Sequence, residues 1–556
     1  MKEHYDYVVA GVAGCVLAAR LAEDRDVSVL LLEAGGPGRS PFIAMPAGNG
    51  FLFGNSRYDW GFTSVPQPGL GGRTIYYPRG KALGGSAILN GMIYVRGNRR
   101  DYELWRQRGL AGWSYAELLP YFRKAEGSAH RDDGFHGKDG PLRTSPAANH
   151  TPLDRHFQTA ARATGAAWND DFNGASQAGV GRFDVLVWRG RRQSTASTYL
   201  AHRPPNLDIA TGARVLGLAL QGGRAVGINV AHGGRTACVR VGREVILSLG
   251  AFGSPQALLL SGIGPADELR ALGIGVALDL PGVGRNLFDH LNMPVQFACT
   301  DRGLSHARFQ RLDRAVGLGL RWFATRGGPG ASPFWSACLF EQFAGSDRPD
   351  LQIFFTPMVV KEARDVDDWD QPGLLDRLGR KIFVRGSKTA VAGFQFDINL
   401  MHPEGSGTVK LASTDPRAQP LLDPRFLTGE RERRDLLRGI ERVRAIAATA
   451  PLAAVTGPEL SPGAAVKDEA SLTDAMRRLA NTAHHPVGTC RMGIATDVTA
   501  VVDESLSVRG IAGLRVCDAS VFPDQITGNP TAAIVAIAEK AADMIRGQQP
   551  LAAASV

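Results

Sequence analysis

Residues 5–36 restrict what this chain can fold into more than any other stretch. Tyr5-Asp6-Tyr7-Val8-Val9-Ala10 leads into the glycine turn Gly11-Val12-Ala13-Gly14, then a helix-like run with Leu17, Ala18 and Leu21, then Val27 to Leu32 closed by Glu33. Strand, glycine turn, helix, strand and acid make a βαβ unit, which implies a parallel pair of strands. Glu33 stands nineteen positions after Gly14, the separation at which an acid ending the second strand can hydrogen-bond an adenosine ribose. A nucleotide follows from that spacing. Gly11 lets the backbone approach a pyrophosphate, and the N–H groups opening the helix near Gly14 offer donors and a positive dipole end. The fingerprint is incomplete, because Gly-x-Gly-x-x-Gly needs a glycine where Val9 stands. Asp6 also sits about two residues nearer the turn than a strand of ordinary length allows, so either strand or loop should be short. Taken alone, the unit is also compatible with a buried βαβ element that holds no ligand.

At 556 residues the chain exceeds a single core, and roughly two to four domain-sized units are expected. It is 44% hydrophobic and 21% charged, the balance of a globular protein, and no repeat period stands out. The direct entry into a strand around Asp6 argues against a signal peptide, and no apolar run is long enough to span a bilayer. Six scattered cysteines without Cys-x-x-Cys pairs point to a reducing compartment and no structural zinc, hence a cytoplasmic location. The net charge of +9 comes from 63 basic and 54 acidic residues, with short, separated arginine clusters that read as solvated surface. They lack the interleaved aromatics of a single-strand binder, so no nucleic-acid partner is expected. Loose attachment to an anionic membrane surface stays open, without an amphipathic anchor to support it. The loop with His130, Asp132, Asp133 and His136 has no tidy metal-ligand spacing and reads as solvated, so no metal is expected.

A second glycine-rich stretch, Gly80-Lys-Ala-Leu83-Gly84-Gly85-Ser86-Ala87-Ile-Leu89-Asn90-Gly91-Met92, is another place where backbone can press against a flat or phosphorylated ligand. Further on, Arg243 to Gly250 reads as a buried strand ending in glycine, followed by Ala251-Phe252-Gly253-Ser254-Pro255 and Ser261-Gly262-Ile263-Gly264-Pro265. Ser254 as N-cap and Pro255 at the first helical position predict a helix start. Near the C-terminus come His484-His485-Pro486-Val-Gly488-Thr489-Cys490-Arg-Met492-Gly493, a strand ending in Asp518-Ala519, and Thr527-Gly528-Asn529-Pro530 opening an apolar-striped helix closed by Gly547. Asparagine at N-cap and proline at N1 predict that start, with Asn529 a cap.

These motifs together resemble the glucose-methanol-choline family of FAD-dependent oxidoreductases, and the likeness runs from Asp6 to about Arg546. It implies an α/β fold: a Rossmann-like FAD-binding domain from discontinuous segments plus a substrate domain built on an antiparallel, six-stranded-type sheet. The implied division is 1–155, 201–300 and 481–556 for FAD binding, the last with the catalytic residues, a substrate or connecting segment 156–200, and the substrate domain 301–480. The resemblance assigns FAD contacts to Gly11, Gly14, Glu33, Ala34, Gly80, Leu83, Gly84, Gly85, Asn90, Gly91, Met92, Val215, Gly250, Asp518, Ala519, Pro530 and Thr531. Some members attach the flavin covalently to a histidine before the asparagine. Leu89 stands there, so non-covalent FAD is expected. The family's general base matches His485, its partner matches Asn529, and His484 would have an orienting role at the substrate. His290, beside Asp289 in a turn, reads as structural.

What the resemblance implies for activity is oxidation of an alcohol to a carbonyl, with oxygen, a quinone or a cytochrome as electron acceptor. Phe334 and Trp335 fall near a position that is often acidic in the family, and no carboxylate replaces it locally. The surrounding hundred residues also carry Phe323, Phe340, Phe354, Phe355, Phe383, Phe394 and Phe396, most of them core by default. A neutral aliphatic or aromatic primary alcohol is therefore the expected substrate and choline a poor one. A hydroxynitrile lyase, a photodecarboxylase, or a relative that lost its flavin through the incomplete glycine turn remain alternatives.

Overall fold

Residues His4–Gly11 (β1) and Val29–Glu33 (β2) lie parallel, Tyr7 beside Val29 through Ala10 beside Leu32, with the helix Gly14–Leu21 (α1) connecting them. This is the computed structural model of the protein, which describes residues 1–11, 13–310, 312–360 and 391–555. Of the two alternatives, a short strand or a short loop, the strand is not the short one: β1 begins at His4, upstream of Asp6, and runs eight residues to Gly11, and the Asp6 carboxylate accepts Ser28 N–H at 2.8 Å. Both strands are almost wholly buried, as a parallel pair covered on two faces must be. The strand Arg235–Ser248 (β3) lies parallel to β1 on its other side and pairs antiparallel with Arg224–His232, which in turn pairs antiparallel with Ala213–Gln221, while Leu207–Thr211 flanks β2. Leu514–Val516, from the far end of the chain, pairs with β3 in parallel. One sheet is thus assembled from remote segments.

After β3 the helix Gly250–Leu260 (α2) starts four residues before the expected Ser254 cap, with Pro255 inside it. Ser254 Oγ instead donates to Asp518 Oδ2 at 2.6 Å and accepts Leu249 N–H at 3.0 Å, so the hydroxyl ties α2 to the C-terminal segment. The last long helix, Thr531–Ile545 (α4 below), likewise begins after Pro530, and Gly547 ends it at φ +66° as a left-handed C-terminal glycine should.

The second sheet is antiparallel throughout. Six strands run in the order Thr456–Ser461, Leu291–Cys299 (β4), Gly393–Leu400 (β7), Leu351–Thr356 (β6), Ala337–Glu341 (β5) and Gly179–Arg182, and the two-residue strand Asn481–Thr482 adds beside β4. Because side chains alternate along a strand, β7 divides cleanly. Phe394, Phe396 and Ile398 point into a core with Val295, Phe355 and the helix Glu430–Ala447 (α3), where Phe157 stacks on Phe355 at 4.7 Å. Burying each such ring contributes about 1.5–3 kcal/mol. Gln395, Asp397 and Asn399 point the other way, into a cavity. Of the aromatics expected in the core, Phe323 is instead 56% exposed on the helix Leu312–Thr325, and Phe383 lies outside the described residues. The helix Thr531–Ile545 (α4) packs against α1, closing the nucleotide end. Among the described residues no helix is long and apolar enough to cross a membrane.

Candidate active site

The two sheets enclose a cavity of about 690 Å³. At one end it is lined by Gly11, Glu33, Ala34 and Val215, along its length by Gly80, Gly85, Asn90, Gly91 and Met92, and near α2 and α4 by Gly250, Asp518, Ala519, Pro530 and Thr531. These are residues that the sequence assigns to the cofactor. Three others do not reach it. Gly14 is buried where α1 crosses the sheet, and a Cβ there would meet Leu31 and Val9 at 3.1 Å, so this glycine serves helix–strand packing. Leu83 turns away, its N–H donating to Gly36 O, and Gly84 sits under Ala196 at φ +98°. Gly11 does what the turn requires: at φ +113° a Cβ would fall inside the Ser248 carbonyl, so only glycine lets β1 and β3 close together at the cavity edge.

Glu33 is buried at the end of β2, one oxygen accepting Gly35 N–H at 2.6 Å, and burial pushes its carboxyl up to about 7. Asp518 is held by Gly250 N–H at 2.8 Å and by Ser254. Arg192, which the sequence reading missed, is buried behind the Asn90 turn and donates to Asn90 O at 2.6 Å and Asn90 Oδ1 at 2.8 Å. The same Asn90 Oδ1 accepts Met92 N–H at 3.2 Å, and Met92 stands at φ +60°.

At the other end stand the histidines. His485 is buried; its Nε2 lies 3.0 Å from Asn529 Nδ2, and its Nδ1 lies 3.0 Å from His290 Nδ1. Asn529 Oδ1 accepts Gln352 Nε2–H at 3.2 Å, which turns its amide nitrogen toward His485. Asn529 is therefore not the helix cap the sequence suggests: the residue at the helix boundary is Pro530, and the amide is committed to the histidine and to β6. With Nε2 accepting, the hydrogen of His485 sits on Nδ1 and is donated to His290. His290 is thus a site residue, not only a structural one, and the neighbouring Asp289 holds the His485 backbone N–H at 2.8 Å. Burial first, then the fields of His290, His484 and Arg79, keep His485 well below the ordinary histidine range, so it is a neutral imidazole at pH 7. Burial lowers His290 to about 3, so it too is neutral and able to accept.

His484 lines the cavity at φ +68°, with its carbonyl accepting from Arg79 Nη2 at 2.8 Å. Trp335 also lines it, its indole N–H donating to Gly91 O at 3.0 Å. Phe334 does not: its ring stacks on Phe309 and contacts His306, because adjacent residues leave an extended segment on opposite sides. The sequence looks for a carboxylate only beside Phe334 and Trp335, whereas the cavity receives one from elsewhere in the chain. Asp397 stands on the cavity face of β7, two strands from where sequence proximity looks for it. The alternation Phe394-Gln395-Phe396-Asp397-Ile398-Asn399-Leu400 was the legible signal, a strand with one apolar face and one face of hydrogen-bonding groups.

The metal question falls to His136. Asp133, His136 and Asp171 approach one another, but this histidine is buried rather than solvated, with Nδ1 on Glu126 at 2.9 Å and Nε2 on Asp171 at 2.9 Å. Burial lowers its pKa, yet Asp171 and Glu126 outweigh that and raise it to about 9. An imidazolium donating from both nitrogens has no lone pair for a metal, and with the buried Arg96–Glu126 pair it forms an ionic cross-link.

The GMC oxidoreductase family model matches residues 5–292 and 403–538. The chain is a GMC oxidoreductase. It is 40% identical to mitochondrial choline dehydrogenase of Mus musculus, over 99% of this chain and 91% of that one, and 38% identical to an oxygen-dependent choline dehydrogenase of Rhizobium etli, over 99% and 97%. Among solved structures it resembles pyridoxine 4-oxidase from Mesorbium loti (TM-score 0.85, 31% identity, 98% of this chain and 100% of that one) and formate oxidase (TM-score 0.86, 27%, 98% of each). This GMC oxidoreductase is an FAD flavoenzyme acting on CH–OH donors. The residues present fit FAD: a glycine at the pyrophosphate turn where no Cβ fits, a buried Glu33 with capacity to accept from ribose hydroxyls, and a long cavity ending at His485.

Proposed function

We propose that this GMC oxidoreductase oxidises a primary alcohol to its aldehyde with His485 as general base. The observation that carries this reading is the placement of His485 Nε2 against Asn529 Nδ2 at 3.0 Å, with Nδ1 engaged by His290. A carbinol oxygen entering from the cavity would displace the hydrogen bond between these two nitrogens, giving its proton to the freed Nε2 lone pair and accepting the Asn529 N–H, which steadies the oxygen as negative charge develops. The imidazolium formed would keep its Nδ1–H on the neutral His290, so charge is stabilised without moving a ring. Glu33, the Gly80–Met92 stretch and Asp518 would hold FAD, which when bound would supply the two-electron acceptor for oxidation of the carbinol carbon. The N-terminus of α4, next to Asn529 and Pro530, adds a positive dipole end facing the cavity. We take the flavin to be non-covalent, since Leu89 packs with Ile43, Leu52 and Ile88 and offers no nucleophile.

We also assign residues 1–155, 201–300 and 481–556 to FAD binding and 156–200 and 301–480 to the substrate side. The origins of the two sheets support this, with β4 moving the second boundary back to about residue 290. A cytoplasmic location fits the six free cysteines, and the electron acceptor is oxygen, a quinone or a cytochrome. The neutral alcohol expected from Phe334 and Trp335 loses its premise now that Asp397 lines the cavity.

The test is anaerobic addition of primary alcohols to the purified yellow protein. Bleaching of the flavin band with one aldehyde formed per flavin is expected; an unbleached band with cleavage of a cyanohydrin would replace this reading by the lyase one. Acid precipitation should leave FAD in the supernatant, and flavin in the pellet would refute non-covalent binding.

A further inference from the structure

Asn529 is held from two directions. Gln352 of β6 donates to its Oδ1, but a side-chain amide is aimed only when the backbone that carries it is fixed. That backbone is the strap Thr527-Gly528-Asn529, which Pro530 joins to α4. It is pinned at Thr527, where two buried side chains from remote parts of the chain take both of the residue's main-chain polar groups. Asp101 Oδ2 accepts Thr527 N–H at 2.7 Å, and Gln177 Nε2 donates to Thr527 O at 2.7 Å. Asp101 Oδ1 also accepts from Thr527 Oγ1 at 2.9 Å. Gly528 follows at φ +140°, and a Cβ there would meet Val95 Cγ1 at 2.8 Å, so the strap lies tight against its bed.

Asp101 also has an ordinary task. It is the third residue of the helix Arg99–Gln107, and its Oδ2 accepts Asn98 N–H at 2.8 Å as the second half of a capping box. That task needs one oxygen. Oδ1 is left for Thr527 and for Arg348, whose Nη1 lies 3.4 Å away. Burial lifts the Asp101 carboxyl to about 6, with Arg348 and the hydrogen bonds opposing it, so the group is mostly ionised at pH 7 and accepts at both oxygens. Arg348 stands in the loop joining β5 to β6, four positions before Gln352. One segment of the second sheet thus reaches Asn529 twice, through Gln352 to the amide and through Arg348 and Asp101 to the backbone. His485 has separate supports: Asp289 on its N–H, Gln525 Nε2 donating to its carbonyl at 2.9 Å, and His290 at its ring. Removing Asp101 therefore falls on the asparagine.

We infer that Asp101 is a positioning residue for the reaction, fixing through Thr527 the place at which Asn529 presents its amide to His485 and to the carbinol oxygen. Asp101 does not line the cavity, so it acts only through the strap. The inference rests on the reading of His485 and Asn529 given above.

Asp101→Asn keeps the size of the side chain but turns an NH2 group toward Thr527 or Asn98, where a donor meets a donor and the strap has to shift. The experiment measures the limiting rate of anaerobic flavin reduction by a primary alcohol, and the alcohol's apparent Kd, in the FAD-loaded wild type, Asp101→Asn, Asn529→Ala and the double variant. In Asp101→Asn the limiting rate should fall about tenfold or more, with flavin content retained and Kd changed less than about threefold. In the Asn529→Ala background the same substitution should change the rate less than about twofold, because no amide is left to aim. A fall by the same factor in both backgrounds would mean a helix cap and nothing else, and that result, or an unchanged rate in the single variant, overturns the inference. Thr527→Val keeps the N–H and removes the hydroxyl donor. It covers a folding failure of Asp101→Asn, with a fall of about threefold expected only where Asn529 is present. If no alcohol reduces the wild-type flavin, alcohol oxidation is wrong and the positioning is judged by the crystal structure of either variant. Asn529 Nδ2 moved beyond about 3.5 Å from His485 Nε2 supports it, and an unchanged contact at 3.0 Å refutes it.

Discussion

His290 offers a sharp test of the geometry, because it touches the proposed base but neither flavin-binding turn. In His290→Leu the ring nitrogen that accepts His485 Nδ1–H is gone, and the contact at 3.0 Å is replaced by a methyl group. The neighbourhood is buried, so the Nδ1–H of His485 is left without a partner, at a cost of about 1–3 kcal/mol. That cost grows as His485 takes up the substrate proton, since an imidazolium N–H is a stronger donor than a neutral one. The alternative open to the ring is to move its hydrogen to Nε2, which removes the lone pair that must accept the proton. Either route raises the barrier of the proton-transfer step, and about 1–3 kcal/mol corresponds to roughly 5- to 160-fold in rate. The assay is anaerobic stopped-flow reduction of the flavin by a saturating primary alcohol, with flavin content measured on the same preparation. The expected result is a reduction rate down 5- to 160-fold with flavin content retained. A rate within twofold of the wild type would refute the tautomer argument, and loss of flavin would mean that His290 supports the fold of the cofactor site rather than the base.

The remaining predictions use the same assays. His485→Ala should lower turnover about 10²–10⁴-fold with FAD retained, and His484→Ala far less, since His484 meets the cavity but not Asn529; reversed effects would mean the wrong histidine was chosen. Gly11→Ala places a Cβ inside the Ser248 carbonyl at a φ of +113°, a strain of about 1–3 kcal/mol before any clash, so the ratio of flavin to protein should fall severalfold; unchanged flavin content would remove Gly11 from the turn's function. For pH, His485 must be neutral to accept, and its pKa lies well below 6.5. The rate with a neutral alcohol should therefore rise with pH through that low value and be level from about pH 6.5 to 8; an acidic limb with its midpoint above 7 would show that the base is charged at rest.

Local chemistry fixed a good part of this protein. The βαβ unit was legible because apolar strands, a glycine turn and an acid at fixed spacing leave few other ways to satisfy the backbone. The α4 stop at Gly547 and the cavity positions of Glu33, Asn90, Asp518 and His485 were within reach of motif reading for the same reason. Tertiary structure alone decided the rest. Ser254 and Asn529 carry capping chemistry in the sequence, but a hydroxyl or amide takes whichever partner the fold brings near, and here those partners are Asp518 and His485. Sequence spacing could not pair His290 with His485, 195 positions apart, nor move the site's carboxylate from the Phe334–Trp335 region to Asp397. A strand pattern states which residues share a face; only the order of strands in the sheet states what that face looks at.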